Sequence, residues 1–84
     1  MKINVLLFAQ LKDAALGKDR LLLEVNEGTR IEELVEKLIL EPPFSQCQKL
    51  PLIYALNENF VPGETLLNDQ DVLALMTPVS GGAV

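Results

Sequence analysis

The sequence contains no histidine and only one cysteine, Cys47. One thiol cannot form an internal disulfide, and it cannot replace the several thiolates that hold an iron–sulfur cluster or a structural zinc ion. Without histidine, zinc chemistry and catalysis by an imidazole acid or base are not expected either. We therefore predict that the chain binds no metal and no cofactor of its own.

Long apolar segments are missing as well. The apolar run after Lys2 ends at Ala9, which is short for the hydrophobic part of a signal peptide. No stretch approaches the roughly 20 apolar residues that a helix needs to cross a bilayer. Together with the lone cysteine, these absences predict a reduced, soluble protein of the cytoplasm that has no membrane partner.

Basic residues are few. Seven Lys and Arg stand against twelve Asp and Glu, which gives a net charge of −5. Nucleic acids and anionic membranes attract clustered positive charge, so we expect neither as a partner. The negative charge suits partners that present basic grooves, although solubility accounts for it equally well.

The apolar content is sufficient for one small domain. The 84 residues are 49% hydrophobic, and with three Phe, one Tyr and no Trp the core must be built from Leu, Ile and Val. Apolar periodicity and turn residues predict five strands and a first, short helix. The strands span 2–8, 21–25, 52–57, 60–61 and 72–76, and the helix spans 10–16, with Gly17 at its C-cap.

A second helix is marked by Thr29 and Glu32, which have the spacing of a capping box. Apolar positions then recur at helical spacing on one face. They are Ile31, Leu34, Val35 and Leu38. Pro42-Pro43 ends the pattern. The first and last long strands are apolar on both faces, so we expect them to be buried on both faces and to form the centre of the sheet. Helices packed on one side of such a sheet make an α+β roll.

Four segments, in this order along the chain, resemble a known family. They are Phe8-Ala9-Gln10-Leu11, Ala55-Leu56-Asn57, the run 66–72 (LLNDQDV), and Pro78-Val79-Ser80-Gly81-Gly82. In this order they resemble the small, ubiquitin-like subunit of molybdopterin synthase over essentially the whole chain. The resemblance implies a β-grasp (ubiquitin-like) fold with a mixed sheet over 1–78, followed by a flexible Gly-Gly tail over 79–84.

The resemblance also implies a sulfur carrier in molybdenum cofactor biosynthesis rather than an enzyme. In that family an ATP-using, ubiquitin-activating-type enzyme adenylates the carboxylate of the second glycine, here Gly82. A persulfide donor then converts this carboxylate to a thiocarboxylate. The tail enters the large subunit of the synthase, where the thiocarboxylate gives its sulfur to a pyranopterin precursor. Val79, Ser80 and Gly81 would form the tail that enters both partners. Two residues without Cβ atoms give the thinnest chain for a narrow, water-excluding site.

The sequence departs from the family at its last two residues. The family ends at the second glycine, whereas Ala83-Val84 follow Gly82 here, so that Gly82 has a peptide bond in place of a free carboxylate. Removal of the two residues by a protease would expose it. Alternatively, the two residues are a feature of the gene's end, or the protein is a relative that no longer carries sulfur.

Two other functions stay open. A sulfur carrier for another pathway, such as thiamine synthesis, would have a similar tail, but the helical segment 10–16 argues against it. A ubiquitin-like modifier or interaction module would join a processed Gly82 to a lysine. Some apolar residues could contact a partner through the open face of the sheet, and Phe60 and Leu75 are the candidates, whereas Phe8 is expected in the core.

Three further features are expected to be structural. Cys47 has no neighbouring His and only Lys49 to lower its pKa, so we do not expect a reactive thiol. Asp69 and Asp71 are too few carboxylates for a calcium loop, and they favour a turn. Glu32, Glu33 and Glu36 form a solvated helix face.

Overall fold

The computed structural model describes residues 1–42, 44 and 51–78. Each predicted element is present, with ends within about two residues of the predicted ones. The elements are β1 (Lys2–Leu7), α1 (Ala9–Ala14), β2 (Arg20–Glu24), α2 (Ile31–Leu40), β3 (Ile53–Leu56), β4 (Asn59–Val61) and β5 (Val72–Met76).

The five strands form one mixed sheet in the order β2-β1-β5-β3-β4. β1 and β5 run parallel, with Val5 opposite Leu73 and Leu7 opposite Leu75, and every other neighbouring pair is antiparallel. The prediction that the first and last strands form the centre of the sheet is therefore confirmed. With two helices on one side of this sheet, the expected β-grasp fold is confirmed as well.

The core lies between the sheet and the helices. Its members from the sheet alternate along β1 and β5, and those from the helices come from the inner faces of α1 and α2. The main members are Ile3, Val5, Leu7, Leu11, Ala14, Ile31, Leu34, Val35, Ile39, Leu73 and Leu75. The prediction that the first and last strands are buried on both faces is wrong. On β1, Lys2 is exposed and Asn4 and Leu6 are only half-buried, and on β5 Val72 is exposed and Ala74 and Met76 are half-buried.

The capping box of α2 is displaced by one residue from its predicted place. The Thr29 hydroxyl donates to the carbonyl of Asn26 (2.7 Å) in the preceding turn, so it does not cap the helix. Arg30 is the N-cap residue, and its backbone N–H donates to the Glu33 carboxylate (2.9 Å). The sequence pattern located the start of the helix correctly, but it did not show which residue is the N-cap.

Backbone carbonyls from a distant loop complete the cap of α2. The N–H of Ile31 donates to the carbonyl of Thr65 (3.0 Å), and the N–H of Glu32 donates to that of Gly63 (2.8 Å). Helix N-terminal N–H groups have no partner within the helix, so these bonds satisfy groups that would otherwise be unpaired. A Cβ at Gly63 would lie 3.0 Å from the Tyr54 ring, which explains glycine at this close approach.

The turn between β3 and β4 is held by a buried carboxylate. Asn57 (φ 50°) and Glu58 (φ 74°) both adopt left-handed backbone, as a tight hairpin requires. The Asn57 amide donates to Asp71 (2.9 Å), and the second carboxylate oxygen of Asp71 accepts from the N–H of Asn68 (2.7 Å). Asp71 is only 7% exposed. The first turn residue is thus tied to the start of β5.

We predict that Asp71→Ala destabilises the fold by roughly 2–4 kcal/mol, because it leaves the Asn57 amide and the Asn68 N–H without their acceptor. Urea denaturation followed by circular dichroism measures the change. Asp13→Ala removes an exposed carboxylate of α1 and should change stability by less than about 0.5 kcal/mol. Equal effects of the two substitutions would contradict the role given to Asp71.

Candidate functional site

The face of the sheet opposite the helices is uncovered within the described residues, and most of its side chains are apolar. Its polar members are Lys2, Asn4, Arg20 and Glu24. The strand registers place on it the side chains that alternate with those of the core. Its apolar members, which we call the open face, are Leu6, Leu22, Ile53, Ala55, Phe60, Val72, Ala74 and Met76. Phe60 and Leu22 are the most exposed, at 75% and 61%. An exposed apolar surface of this kind is typical of a protein-binding site.

The C-terminal tail begins beside this surface. β5 ends at Met76, which pairs with Ile53, and Thr77 and Pro78 follow at the same end of the sheet. A shallow hollow of about 460 Å³ lies at this end, between β3, β4 and the residues after β4. It is lined by Leu52, Ile53, Tyr54, Phe60, Val61, Pro62 and Gly63. The strand that leads into the tail is thus flanked by apolar surface.

The two residues predicted to contact a partner, Phe60 and Leu75, differ in their exposure. Phe60 is exposed on the open face, opposite Ala55 on β3, and its contact with a partner stays a prediction. Leu75 is fully buried on the helix side of β5, so its prediction as a contact residue is wrong. Phe8 was expected in the core, but it is 45% exposed because β1 ends at Leu7 and Phe8 precedes α1.

The predicted tail residues lie outside the described residues. They are Val79, Ser80, Gly81 and Gly82, together with Ala83 and Val84. Cys47 also lies outside them. The roles given to these residues therefore remain predictions from the sequence.

Most of the open face was missed by sequence reasoning. In β5 the residues Val72, Ala74 and Met76 face outward while Leu73 and Leu75 face the helices, yet all five are apolar. A pattern of period two is visible only when one face is polar. The signal that could have identified the face is the lack of a third layer, because two short helices cover only one side of a five-stranded sheet.

The clustered carboxylates serve the fold. The backbone N–H of Lys2 donates to Asp69 (2.7 Å) and is the main reason why the pKa of this carboxyl is lowered. Asp71 likewise holds turn residues, through its hydrogen bonds from Asn57 and Asn68. The prediction that Asp69 and Asp71 serve a turn is therefore confirmed. Within 1–42, 44 and 51–78, no three Asp, Glu or Cys residues are grouped as metal ligands would be. In the same part of the chain, neither helix is long and apolar enough to cross a membrane.

Tyr54 lies where the hollow meets the N-terminus of α2. Partial burial raises the pKa of its hydroxyl, and the nearby negative charge of Glu32 raises it further. Glu32 is exposed on the helix face, as predicted, and approaches Gly63 beside the Tyr54 ring. The group is a packing contact with one charged neighbour, and it offers no acid–base pair.

Comparisons with known proteins agree with this geometry. The sequence profile of the ThiS family matches residues 5–82, so the match ends at Gly82. A molybdopterin synthase sulfur carrier subunit from Mycobacterium tuberculosis is 33% identical, with 98% of this chain and 99% of that protein covered. A protein of the same name from Arabidopsis thaliana is 29% identical over 98% of this chain and 84% of its own.

Solved structures show the same fold. Putative molybdopterin converting factor subunit 1 from Pyrococcus furiosus superposes with a TM-score of 0.81 at 25% identity, over 94% of this chain and 99% of that one. A complex of subunits 1 and 2 of molybdopterin-converting factor from Helicobacter pylori gives 0.68 at 25% identity, over 98% and 100%. Small archaeal modifier protein 1 from Methanosarcina acetivorans gives 0.73 at 27% identity, over 96% of each chain.

The single tyrosine makes the Tyr54 environment directly measurable. We predict that absorbance titration near 295 nm gives a midpoint above the ordinary value of about 10, and that Glu32→Gln lowers this midpoint. Because the folded pKa is raised, the stabilising contribution is complete below pH ~10 and is lost as the pH rises through the folded pKa.

Two variants control this titration. Glu36→Gln, which removes an exposed carboxylate elsewhere on α2, should leave the midpoint unchanged. Raising the pH from about 9 to about 11 should lower the free energy of unfolding less in Tyr54→Phe than in the parent. A parent midpoint at or below the ordinary value would contradict the described packing of the ring.

Proposed function

The chain belongs to the ThiS family, and on this basis we propose that it is the sulfur carrier subunit of a molybdopterin synthase. The observation that carries the proposal is similarity over nearly the whole chain to proteins of that name, within a family match that includes Gly81 and Gly82. The open face supports it, since a carrier must be held by other proteins in order to act.

The chemistry rests on the carboxylate of Gly82. A free carboxylate is a poor electrophile, and adenylation by an ATP-using partner supplies a good leaving group. The outer sulfur of a persulfide donor then displaces AMP and forms an acyl disulfide. A second thiol cleaves the S–S bond, forming a disulfide with the donor, and leaves a thiocarboxylate at the end of the tail. The sulfur passes from there to a pyranopterin precursor bound by the large subunit. Glycines at the last two positions let the acyl carbon enter narrow sites on both partners.

The open face is the proposed docking surface for the large subunit. It lies beside the strand that leads into the tail, so a protein bound there would receive the tail at a fixed distance from its contact surface. Phe60, the most exposed member, is the proposed anchor, because exposed aromatic side chains contribute strongly to protein interfaces. The complex of two subunits formed by the Helicobacter pylori proteins supports an assembly of this kind.

The proposed role needs no catalytic group on this chain. The partners supply ATP binding, sulfur mobilisation and the substrate site, and the carrier binds no cofactor itself. Because adenylation consumes ATP, we place the reaction in the cytoplasm. A protease that removes Ala83-Val84 belongs to the proposal too, since Gly82 has no free carboxylate while the peptide bond to Ala83 exists.

A ubiquitin-like modifier is the second candidate. Similarity to the archaeal modifier protein, at 27% identity, favours it over an unrelated interaction module. It would use the same adenylated Gly82, but the acyl group would pass to a lysine amine instead of a sulfur atom. A sulfur carrier for thiamine synthesis would differ only in the protein that accepts the sulfur.

We predict that the protein isolated from its own cells includes a species that lacks Ala83-Val84 and has one terminal oxygen replaced by sulfur. Intact-mass spectrometry detects both changes. A chain ending at Gly82 should form the same thiocarboxylate when it is incubated with ATP, the adenylating enzyme and a persulfide donor.

The matched control is the same shortened chain, ending at residue 82, with the substitution Gly82→Val. It should keep the fold but fail to donate sulfur, because a β-branched residue is too wide and stiff for a channel made for glycine. Lysine conjugates without any thiocarboxylate would instead support the modifier. Sulfur transfer by a variant whose Gly82 cannot be exposed would exclude the mechanism.

For docking, we predict that Phe60→Asp weakens binding to a molybdopterin synthase large subunit at least about tenfold, because it places a charge in an apolar contact. Isothermal titration calorimetry measures the affinity. Leu16→Asp is the control, since Leu16 is 94% exposed in the turn after α1, away from the sheet, and should leave the affinity unchanged. Equal affinities of all three proteins would show that the open face is not the docking surface.

A further inference from the structure

β2 is an edge strand whose outer side has no partner within the described sheet. The N–H of Val25 donates to the carbonyl of Met1 (2.9 Å), and the carbonyl of Asp19 accepts from the N–H of Leu7 (2.9 Å). The odd-numbered residues of this segment therefore direct their backbone groups at β1. In an antiparallel ladder this direction alternates from residue to residue. Arg20, Leu22 and Glu24 therefore direct their N–H and C=O groups away from the sheet.

The sequence of β2 is Arg-Leu-Leu-Leu-Glu, in which three leucines lie between two charged residues of opposite sign. An antiparallel pairing of two such strands about Leu22 places Leu22 opposite itself. It also places Arg20 of each copy opposite Glu24 of the other. The three residues that direct backbone groups outward are the three that this register joins, so every pair exchanges both of its hydrogen bonds.

We propose that two copies of this chain associate through β2 in this register and form one continuous ten-stranded sheet. The side chains suit the pairing, because Arg20, Leu22 and Glu24 share one face and are all exposed. Opposite charges placed directly across two strands are favourable, and so are paired apolar side chains. A two-fold axis also makes the contact closed, which limits assembly to a dimer.

The charges select this arrangement over others. Charged residues on an edge strand usually oppose pairing. A parallel pairing in register would bring Arg20 to Arg20 and Glu24 to Glu24, whereas the antiparallel one joins opposite charges at both ends. Arg20 makes no salt bridge within the described residues, and Glu24, although it lies 3.2 Å from the Met1 ammonium, is 71% exposed. Both side chains are thus available to a second copy.

The association is weak. Two strands of five residues bury far less than the roughly 800 Å² per partner that stable complexes bury, so we expect a dissociation constant on the order of 10⁻⁴ to 10⁻³ M. Each copy carries a net charge of −5, and the resulting repulsion adds to the cost. The dimer belongs to concentrated solution, and its test does not rest on the proposed function. Leu22 is the one residue that it shares with the open face.

Sedimentation equilibrium of the full chain from about 0.05 to about 2 mM tests the proposal. The parent protein should dimerise over this range. Arg20→Glu creates a like-charge pair at each end and should weaken the dimer roughly tenfold, as should the reciprocal Glu24→Arg. The double exchange, Arg20→Glu with Glu24→Arg, restores opposite charges and should recover the parent association.

Lys12→Glu controls for net charge, because it makes the same change on α1 and should leave the dimer intact. Thermal melts establish that each variant is folded. A parent that stays monomeric at about 2 mM overturns the proposal. So does a dimer that the single exchanges do not weaken, or one that the double exchange does not recover, since association would then use another surface.

Discussion

The parallel pairing of β1 with β5 is the constraint on which the rest of the structure depends. It joins the start of the chain to its last strand, so a connection must cross the sheet, and here the crossing places both helices on one side. The core therefore forms on that side alone. The same pairing puts the strand that precedes the tail at the centre of the sheet, where neighbours on both sides fix it. The last described residues, Thr77 and Pro78, therefore follow a strand that is paired on both sides.

Because the core is small, polar contacts hold the connections between the elements. The cap of α2 is completed by carbonyls of the loop at 63–65, and the hairpin after β3 is tied to β5 through Asp71. Both contacts join segments that are distant in sequence. Each one fixes loop backbone, and its hydrogen bonds offset the conformational entropy that this ordering costs. Gly63, which supplies one of these carbonyls, also lines the hollow next to Phe60, where it lies close to the Tyr54 ring.

The sequence predicted the elements well because each depends on local periodicity and turn chemistry. β5 is the clearest case, with both ends correct. The errors of the prediction from the sequence share one cause, which is that local patterns do not show which side chains are covered by another element. Leu75 and Met76 are adjacent and apolar, yet one is buried and the other half-exposed, and only the position of the helices decides between them. Phe8 was assigned to the core for the same reason. The displaced cap of α2 shows the parallel failure for hydrogen bonds, because the hydroxyl of Thr29 donates to the nearby carbonyl of Asn26 instead of accepting from the Glu32 N–H.

An uncovered apolar face is costly for a small domain, and this cost argues for a partner. A chain of this length buries only roughly 60–65% of its unfolded surface, so apolar residues left outside the core contribute little to folding while they favour aggregation. Seven of the eight residues of the open face are at least partly exposed, and an exposed phenylalanine would be easy to replace by a polar residue if nothing bound it. A partner that covers this face adds its binding free energy to the stability of the folded state. In the proposed role, the carrier would gain both stability and position from the protein that receives its tail, and the sheet face and the tail would then be two parts of one site.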